Sequence, residues 1–215
     1  METTSRSGRD ELLAAVRREG IRDSRVLAAI REVSRAEFVP PELVHRAHLD
    51  TPLPIGHEQV TTQPSLVARM VAALGLTGRE RVLEIGTGFG WQTALLARLA
   101  GRVWSIERWP DLAEEARARL RQGGAENVEI VAGDGTEGLA DHAPYDAIIV
   151  SATFTSVPEP LTGQLADGGR LVQPLGPGGA EEVFLFRKAG TALRRERMLT
   201  RAHFVPLRGR HGFPE

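Results

Sequence analysis

The stretch that decides the fold is Val82–Gln92, VLEIGTGFGWQ. An apolar run holding one acid, Glu84, leads into Gly86, Gly88 and Gly90, and a helical pattern opens directly behind them. Glycines at such a place permit a tight turn and let a ligand approach the backbone closely. One glycine-rich turn is weak grounds for a ligand site, because the same turn also occurs with nothing bound.

Outward from the loop, strands and helices alternate. RVLEIG reads as a strand and WQTALLARLAG as a helix. RVWSIE is the next strand, and PDLAEEARARLRQGG the next helix, with Pro110 in its first turn, where a missing N–H breaks no hydrogen bond. VEIVAG follows as a strand, and YDAIIVSA as one apolar enough to be covered on both faces. PEPLTGQL is a short helix ahead of GGRLVQPLG, and residues 181–207 read as two or three antiparallel strands. This alternation predicts an α/β protein with a doubly wound parallel sheet in an α/β/α sandwich. N-terminal helices and a C-terminal antiparallel extension complete it. The expected organisation is a single domain over 1–215, with 1–80 as a helical and loop cap on the substrate side and 81–215 as the α/β core.

Upstream, DELLAAVRREG and DSRVLAAIREVS carry apolar residues at helical spacing, with Asp10 and Asp23 as N-caps and Gly20 as a stop. Residues 38–64, FVPPELVHRAHLDTPLPIGHEQVTTQP, hold four prolines before Gln63 and read as an extended, ordered loop. SLVARMVAALGL is helical from Ser65 to near Gly75, and Thr61 and Thr62 stand before it as candidate N-caps.

Composition narrows the function. The chain has 215 residues, a net charge of −1 and 41% apolar residues, with no global charge signal for nucleic acid. It has no cysteine, which excludes disulfides, zinc–thiolate sites and thiol catalysis. No apolar leader and no uninterrupted apolar run of about 20 residues is present. A cytoplasmic protein with no membrane and no nucleic-acid partner is expected.

The acids identify the ligand. A dinucleotide site wants Gly or Ala where Trp91 stands, and a carboxylate at Glu84 would repel a pyrophosphate. A carboxylate suits a cofactor with a cationic amino group and a sulfonium, which is S-adenosylmethionine. Glu107 ends the second strand, where an acid accepts from both ribose hydroxyls. Asp134 ends the third, placed to accept from an adenine amino group, with Gly135 letting the chain pass the ring. Three acids at three successive strand ends beside one glycine loop predict the fold of S-adenosylmethionine-dependent methyltransferases.

The chain resembles the protein-L-isoaspartate (D-aspartate) O-methyltransferases. The resemblance rests on RAEFVPPELVHRAHLDTPLPIGHEQVTTQPSLVARM, VLEIGTGFGWQTALLARL, YDAIIVSAT with VPEPLTGQLADGGRLVQPLG, and HFVPLRGRHGF, which looks like the family's closing strand. It runs from about Val26 to Leu207. It implies methylation of the free α-carboxylate of L-isoaspartyl or D-aspartyl residues in damaged proteins, and repair through a succinimide. It implies that Thr62, where the family has serine, orients the acceptor carboxylate beside the cofactor's methyl end, with Val60 and Thr61. Glu84, Gly86, Thr87, Gly88, Gly90, Glu107, Arg108, Asp134 and Gly135 then hold the cofactor. Ile55, Gly56 and Val205 hold the peptide. No metal is implied, and a monomer is the family expectation.

Other readings remain open at this level. His57 reads as a loop histidine bonding backbone before it reads as a base. Trp91 and Phe89 read as packing, and ARARLRQ as a solvated helix face. Thr62 for serine, Glu58 for a small residue, Ser65 for an aromatic and the loop SATFTSVP depart from the family pattern on the acceptor side. A carboxylate methyltransferase dedicated to one peptide precursor, or a non-catalytic cofactor-binding module, therefore stands beside isoaspartyl repair.

Overall fold

The computed structural model describes the backbone of residues 2–214 and the side chains of residues 8–214. Helices α1 (Glu2–Arg18) and α2 (Ser24–Glu32) come first. Asp23 caps α2 by accepting from the N–H groups of Arg25 and Val26 at 2.9 and 3.2 Å. Asp10 lies inside α1, not at its start, because the helical register runs eight residues upstream of it. Gly20, at φ +87°, turns the chain after α1 as expected.

Residues 38–64 are more folded than the extended loop predicted. Single-turn helices span Arg35–Phe38 and Pro41–Arg46, and a hairpin follows, β1 (Leu53–Gly56) and β2 (Gln59–Thr61). Its two-residue turn places His57 and Glu58 at φ +49° and +57°, the left-handed pair that twists correctly for a hairpin. Helix α3 starts at Pro64, and the residue before it, Gln63, makes no side-chain cap. Nor do Thr61 and Thr62 cap it: Asp50 Oδ1, brought round by the preceding loop, accepts from Ser65 N at 2.8 Å.

From Arg81 the predicted alternation holds: β3 (Arg81–Ile85), α4 (Trp91–Leu99), β4 (Arg102–Glu107), α5 (Pro110–Gln122), β5 (Val128–Ala132), β6 (Tyr145–Val150), α6 (Glu159–Gln164), β7 (Leu165–Leu175), β8 (Glu181–Ala189) and β9 (Ala192–Ala202). The seven strands of the main sheet lie in the order β5-β4-β3-β6-β7-β8-β9. β5, β4, β3, β6 and β7 run parallel, while β8 and β9 return antiparallel. The order reverses between β3 and β6, and ligands of open α/β sheets bind at the carboxyl ends beside such a switch point. The tail does not add a third antiparallel strand. Residues 203–213 form a strap with isolated bridges from Thr153 to Pro206 and from Arg208 to Phe213.

The period of two along each strand sorts the core. Val82, Val103, Ile130, Ala147 and Val172 meet the apolar stripes of α1 to α5 on one face. Leu83, Trp104, Ile148 and Leu171 meet Leu161 of α6, Tyr145 and Leu207 of the strap on the other. Fully buried residues such as Leu83, Ile148 and Tyr145 each contribute roughly 1.5–3 kcal/mol. That second face carries one six-residue helix, so loops and the strap complete the sandwich there. Among the described residues, no helix is long and apolar enough to cross a membrane.

Candidate active site

The cavity lies where the switch point predicts. About 570 Å³, open mouth included, is bounded by Gly86–Gln92, Glu107, Ser151, the β1–β2 hairpin and Val205 of the strap. A second lobe of about 450 Å³ shares Gln59, Gly86, Glu107, Ser151 and Val205 with it and adds Ile106, Arg108 and Gly135. Both sizes are those of small-molecule sites.

The glycine loop forms the floor. Gly88 has φ +55°, and a Cβ there would fall 2.9 Å from Ile55 Cδ1 of the hairpin, so only glycine lets the hairpin settle on the loop. Its N–H donates to Glu107 Oε2 at 2.8 Å, and Trp109 N donates to Glu107 Oε1 at 3.1 Å. The Glu107 carboxylate is thereby fixed at the end of β4, on the wall of both lobes. Burial raises its pKa, and these N–H donors oppose the rise. Gly135 borders the second lobe, and a Cβ there would lie 2.4 Å from Ile85 Cγ2.

Two of the predicted acids stand elsewhere. Glu84 is fully buried and absent from the cavity wall. Alternation along β3 turns it toward α4 instead, beneath the helix's first turn. Gln92 Nε2 donates to it at 2.9 Å, Thr93 Oγ1 at 2.5 Å and Ser105 Oγ at 2.6 Å. Burial pushes its carboxyl up to about 7, against those three donors. The direct contact expected for Glu84 with a cationic cofactor group is therefore corrected to an indirect one. It holds Gln92, which also donates to Ser151 Oγ at 3.0 Å; both line the cavity. Gln92 Oε1 is a buried acceptor with no partner in the chain, which fits a donor-bearing ligand.

Asp134, expected against an adenine amino group, is engaged by its own turn and the strap. Its carboxylate accepts from Thr136 N at 2.8 Å, Thr136 Oγ1 at 2.6 Å and Arg210 N at 2.7 Å. Burial alone would raise its pKa, but these donors together hold it below the ordinary range. Asp134 borders neither lobe; it fastens the strap that closes the second one.

On the acceptor side, Val60, Thr61 and Thr62 line the first lobe with Ile55. Gly56 lies at the end of β1, outside both linings. Arg35, only 2% exposed, holds this wall from behind. Its Nη1 donates to Leu49 O at 3.0 Å, and its Nη2 to Thr51 O at 2.9 Å, Thr62 O at 3.3 Å and Thr61 O at 3.4 Å. Burial lowers its pKa to about 10, with Asp50 opposing, so it stays charged at neutral pH. Its guanidinium also lies 5.6 Å from the Trp91 ring centre at the start of α4, tying the hairpin's base to the cofactor loop.

Sequence reading missed Arg35, Gln92 and Ser151. Ser151 was findable, since it follows β6 at a carboxyl end beside the switch point. Arg35 had no local signal.

The glycine loop after β3, the acid ending β4 and the switch-point cavity are together those of S-adenosylmethionine-dependent methyltransferases. Residues 7–212 match a family model described as protein-L-isoaspartate(D-aspartate) O-methyltransferase. A protein-L-isoaspartate O-methyltransferase of Methanoregula boonei is 50% identical over 194 residues, covering 90% of this chain and 89% of its own. One from Anaeromyxobacter dehalogenans is 53% identical over 190 residues, covering 87% and 91%. A solved protein-L-isoaspartate O-methyltransferase superposes with a TM-score of 0.83 at 31% identity, over 95% of this chain and 67% of that one. A Plasmodium falciparum structure solved with S-adenosyl-L-homocysteine superposes at 0.79 with 21% identity, over 92% and 96% of the two chains, a likeness of fold. The chain belongs to the protein-L-isoaspartate(D-aspartate) O-methyltransferase family, and its cofactor is S-adenosylmethionine.

Proposed function

We propose that this cleft methylates the free α-carboxylate of L-isoaspartyl or D-aspartyl residues in flexible protein segments, with Thr62 orienting the acceptor. The single observation that carries the residue assignment is the wall Val60–Thr62, set over the glycine loop in one cavity with Glu107.

When bound, the cofactor supplies an electrophilic methyl group on a sulfonium. Glu107, held by Gly88 N and Trp109 N, accepts from its ribose hydroxyls. Gly86, Thr87, Gly88 and Gly90 let it lie against the loop, with Gln92 and Ser151 at the far wall. Arg108 and Gly135 border the lobe that takes its base.

The acceptor carboxylate is already ionised at neutral pH, so the site needs no base. Its tasks are alignment and exclusion of water. The Thr62 hydroxyl donates to one carboxylate oxygen and aims the other at the methyl group. The hairpin and strap close the cleft, while Ile55, Gly56 and Val205 offer the walls along which an extended segment lies. The ester formed then closes to a succinimide, which reopens partly as normal aspartate.

The reading includes a monomer acting in the cytoplasm on protein rather than nucleic acid, and these points rest on the family resemblance. Labelled methyl transfer to paired peptides, one isoaspartyl and one aspartyl, tests the function. Base-labile label on the isoaspartyl peptide alone is expected. Label on neither, with cofactor binding intact, would move the acceptor to a dedicated peptide.

A further inference from the structure

The β1–β2 hairpin is a two-stranded sheet of its own, unpaired with the main sheet. Such a hairpin is marginal in water without anchors, yet it forms one wall of the cavity. Its base is held by Arg35. Its tip has a second anchor. His57 Nε2 and Asp111 Oδ2 are 2.7 Å apart, and the imidazole lies parallel to the Trp109 indole, centroids 4.0 Å apart with 9° between planes. Both partners belong to the turn from β4 into α5, whose Trp109 N–H also holds Glu107. One side chain therefore joins the acceptor-side hairpin to the cofactor-side acid.

We propose that His57 is a positioning residue: its imidazole latches the hairpin across the cofactor cleft onto Trp109 and Asp111, and releases it for cofactor exchange. His57 borders neither lobe of the cavity, so it acts through Val60–Thr62 and not on the reacting atoms. It is also no general base, because its Nε2 is directed at Asp111, away from the acceptor wall. That contact holds the Asp111 carboxyl below its ordinary range. Neither part of the latch is strong. The His57 and Asp111 side chains are 33% and 65% exposed, which weakens the polar contact, and the ring stack adds a modest term. A clasp of that strength opens readily, as product release requires.

The latch rests on the assignment of the acceptor wall, and the test separates the two. His57→Asn keeps a residue that accepts the left-handed turn while removing both stack and contact. His57→Phe keeps the stack alone. Dissociation of S-adenosylhomocysteine is followed by stopped flow, with thermal unfolding and peptide kinetics alongside. The latch predicts that His57→Asn keeps the wild-type Tm or exceeds it. It also predicts product dissociation faster by about tenfold and a raised KM for the isoaspartyl peptide, with His57→Phe in between. Unchanged dissociation in His57→Asn would overturn the latch, as would faster dissociation accompanied by a lowered Tm. Absence of peptide methylation in the wild type would instead count against the acceptor assignment and leave the dissociation result standing.

Discussion

Arg35 reaches the carbonyl oxygen of Thr62 at 3.3 Å from a position almost closed to solvent. The proposed orienting residue is thus placed by a buried cation 27 residues upstream. Arg35→Lys keeps the charge and loses the planar fork, which served four carbonyls of two loops. Those acceptors are left partly unsatisfied, so a loss of about 2–4 kcal/mol in stability is expected. The catalytic cost should fall on peptide turnover more than on S-adenosylhomocysteine affinity, which calorimetry beside steady-state kinetics would reveal.

Glu58 occupies a left-handed position, φ +57°, at the exposed hairpin tip. The glycine usual in the family has a plain physical reason there. Glu58→Gly should stabilise the protein by about 1 kcal/mol, read as a rise in Tm, with methyl transfer unchanged. Slower transfer would mean that the carboxylate takes part in substrate binding.

The buried Glu84 predicts a pH dependence of stability. Its folded pKa, about 7, lies above the ordinary glutamate value of roughly 4.3. The folded state therefore holds the proton more tightly. Its contribution is fully present below the unfolded pKa and is lost as pH rises through the folded one, an effect of up to about 3 kcal/mol. Glu84→Gln should flatten the fall in Tm between pH 5 and pH 8. A wild-type slope persisting in Glu84→Gln would contradict the assignment.

Glu107 is the charge expected to hold the cofactor's ribose. Glu107→Ala should weaken S-adenosylhomocysteine binding by roughly 10–100-fold in calorimetry, with Tm little lowered. Wild-type affinity should decline as the pH drops through the raised pKa of this carboxyl, since the protonated form accepts less well. Unchanged affinity in Glu107→Ala would remove the ribose role.

The parallel core was legible because its signals are local. Strand runs, the glycine loop and Pro110 each speak within a dozen residues, and Glu107 was placed by the strand-end rule. What failed depended on facing and on distant partners. Alternation turned Glu84 toward α4, while Arg210, 76 residues away, engaged Asp134. The His57–Asp111 contact spans 54 residues, and the cap of α3 comes from Asp50, not from the adjacent threonines. The hairpin within residues 38–64 had a turn without glycine or asparagine at its centre, and so gave no hairpin signal.

The most direct test of the orienting hydroxyl is a comparison of Thr62→Ser with Thr62→Val on an isoaspartyl peptide, with S-adenosylhomocysteine affinity measured alongside. The account predicts that Thr62→Ser keeps or raises kcat. Thr62→Val should lose about tenfold or more, with cofactor affinity unchanged in both. Full activity in Thr62→Val would contradict it, because the acceptor would then be aligned without the hydroxyl.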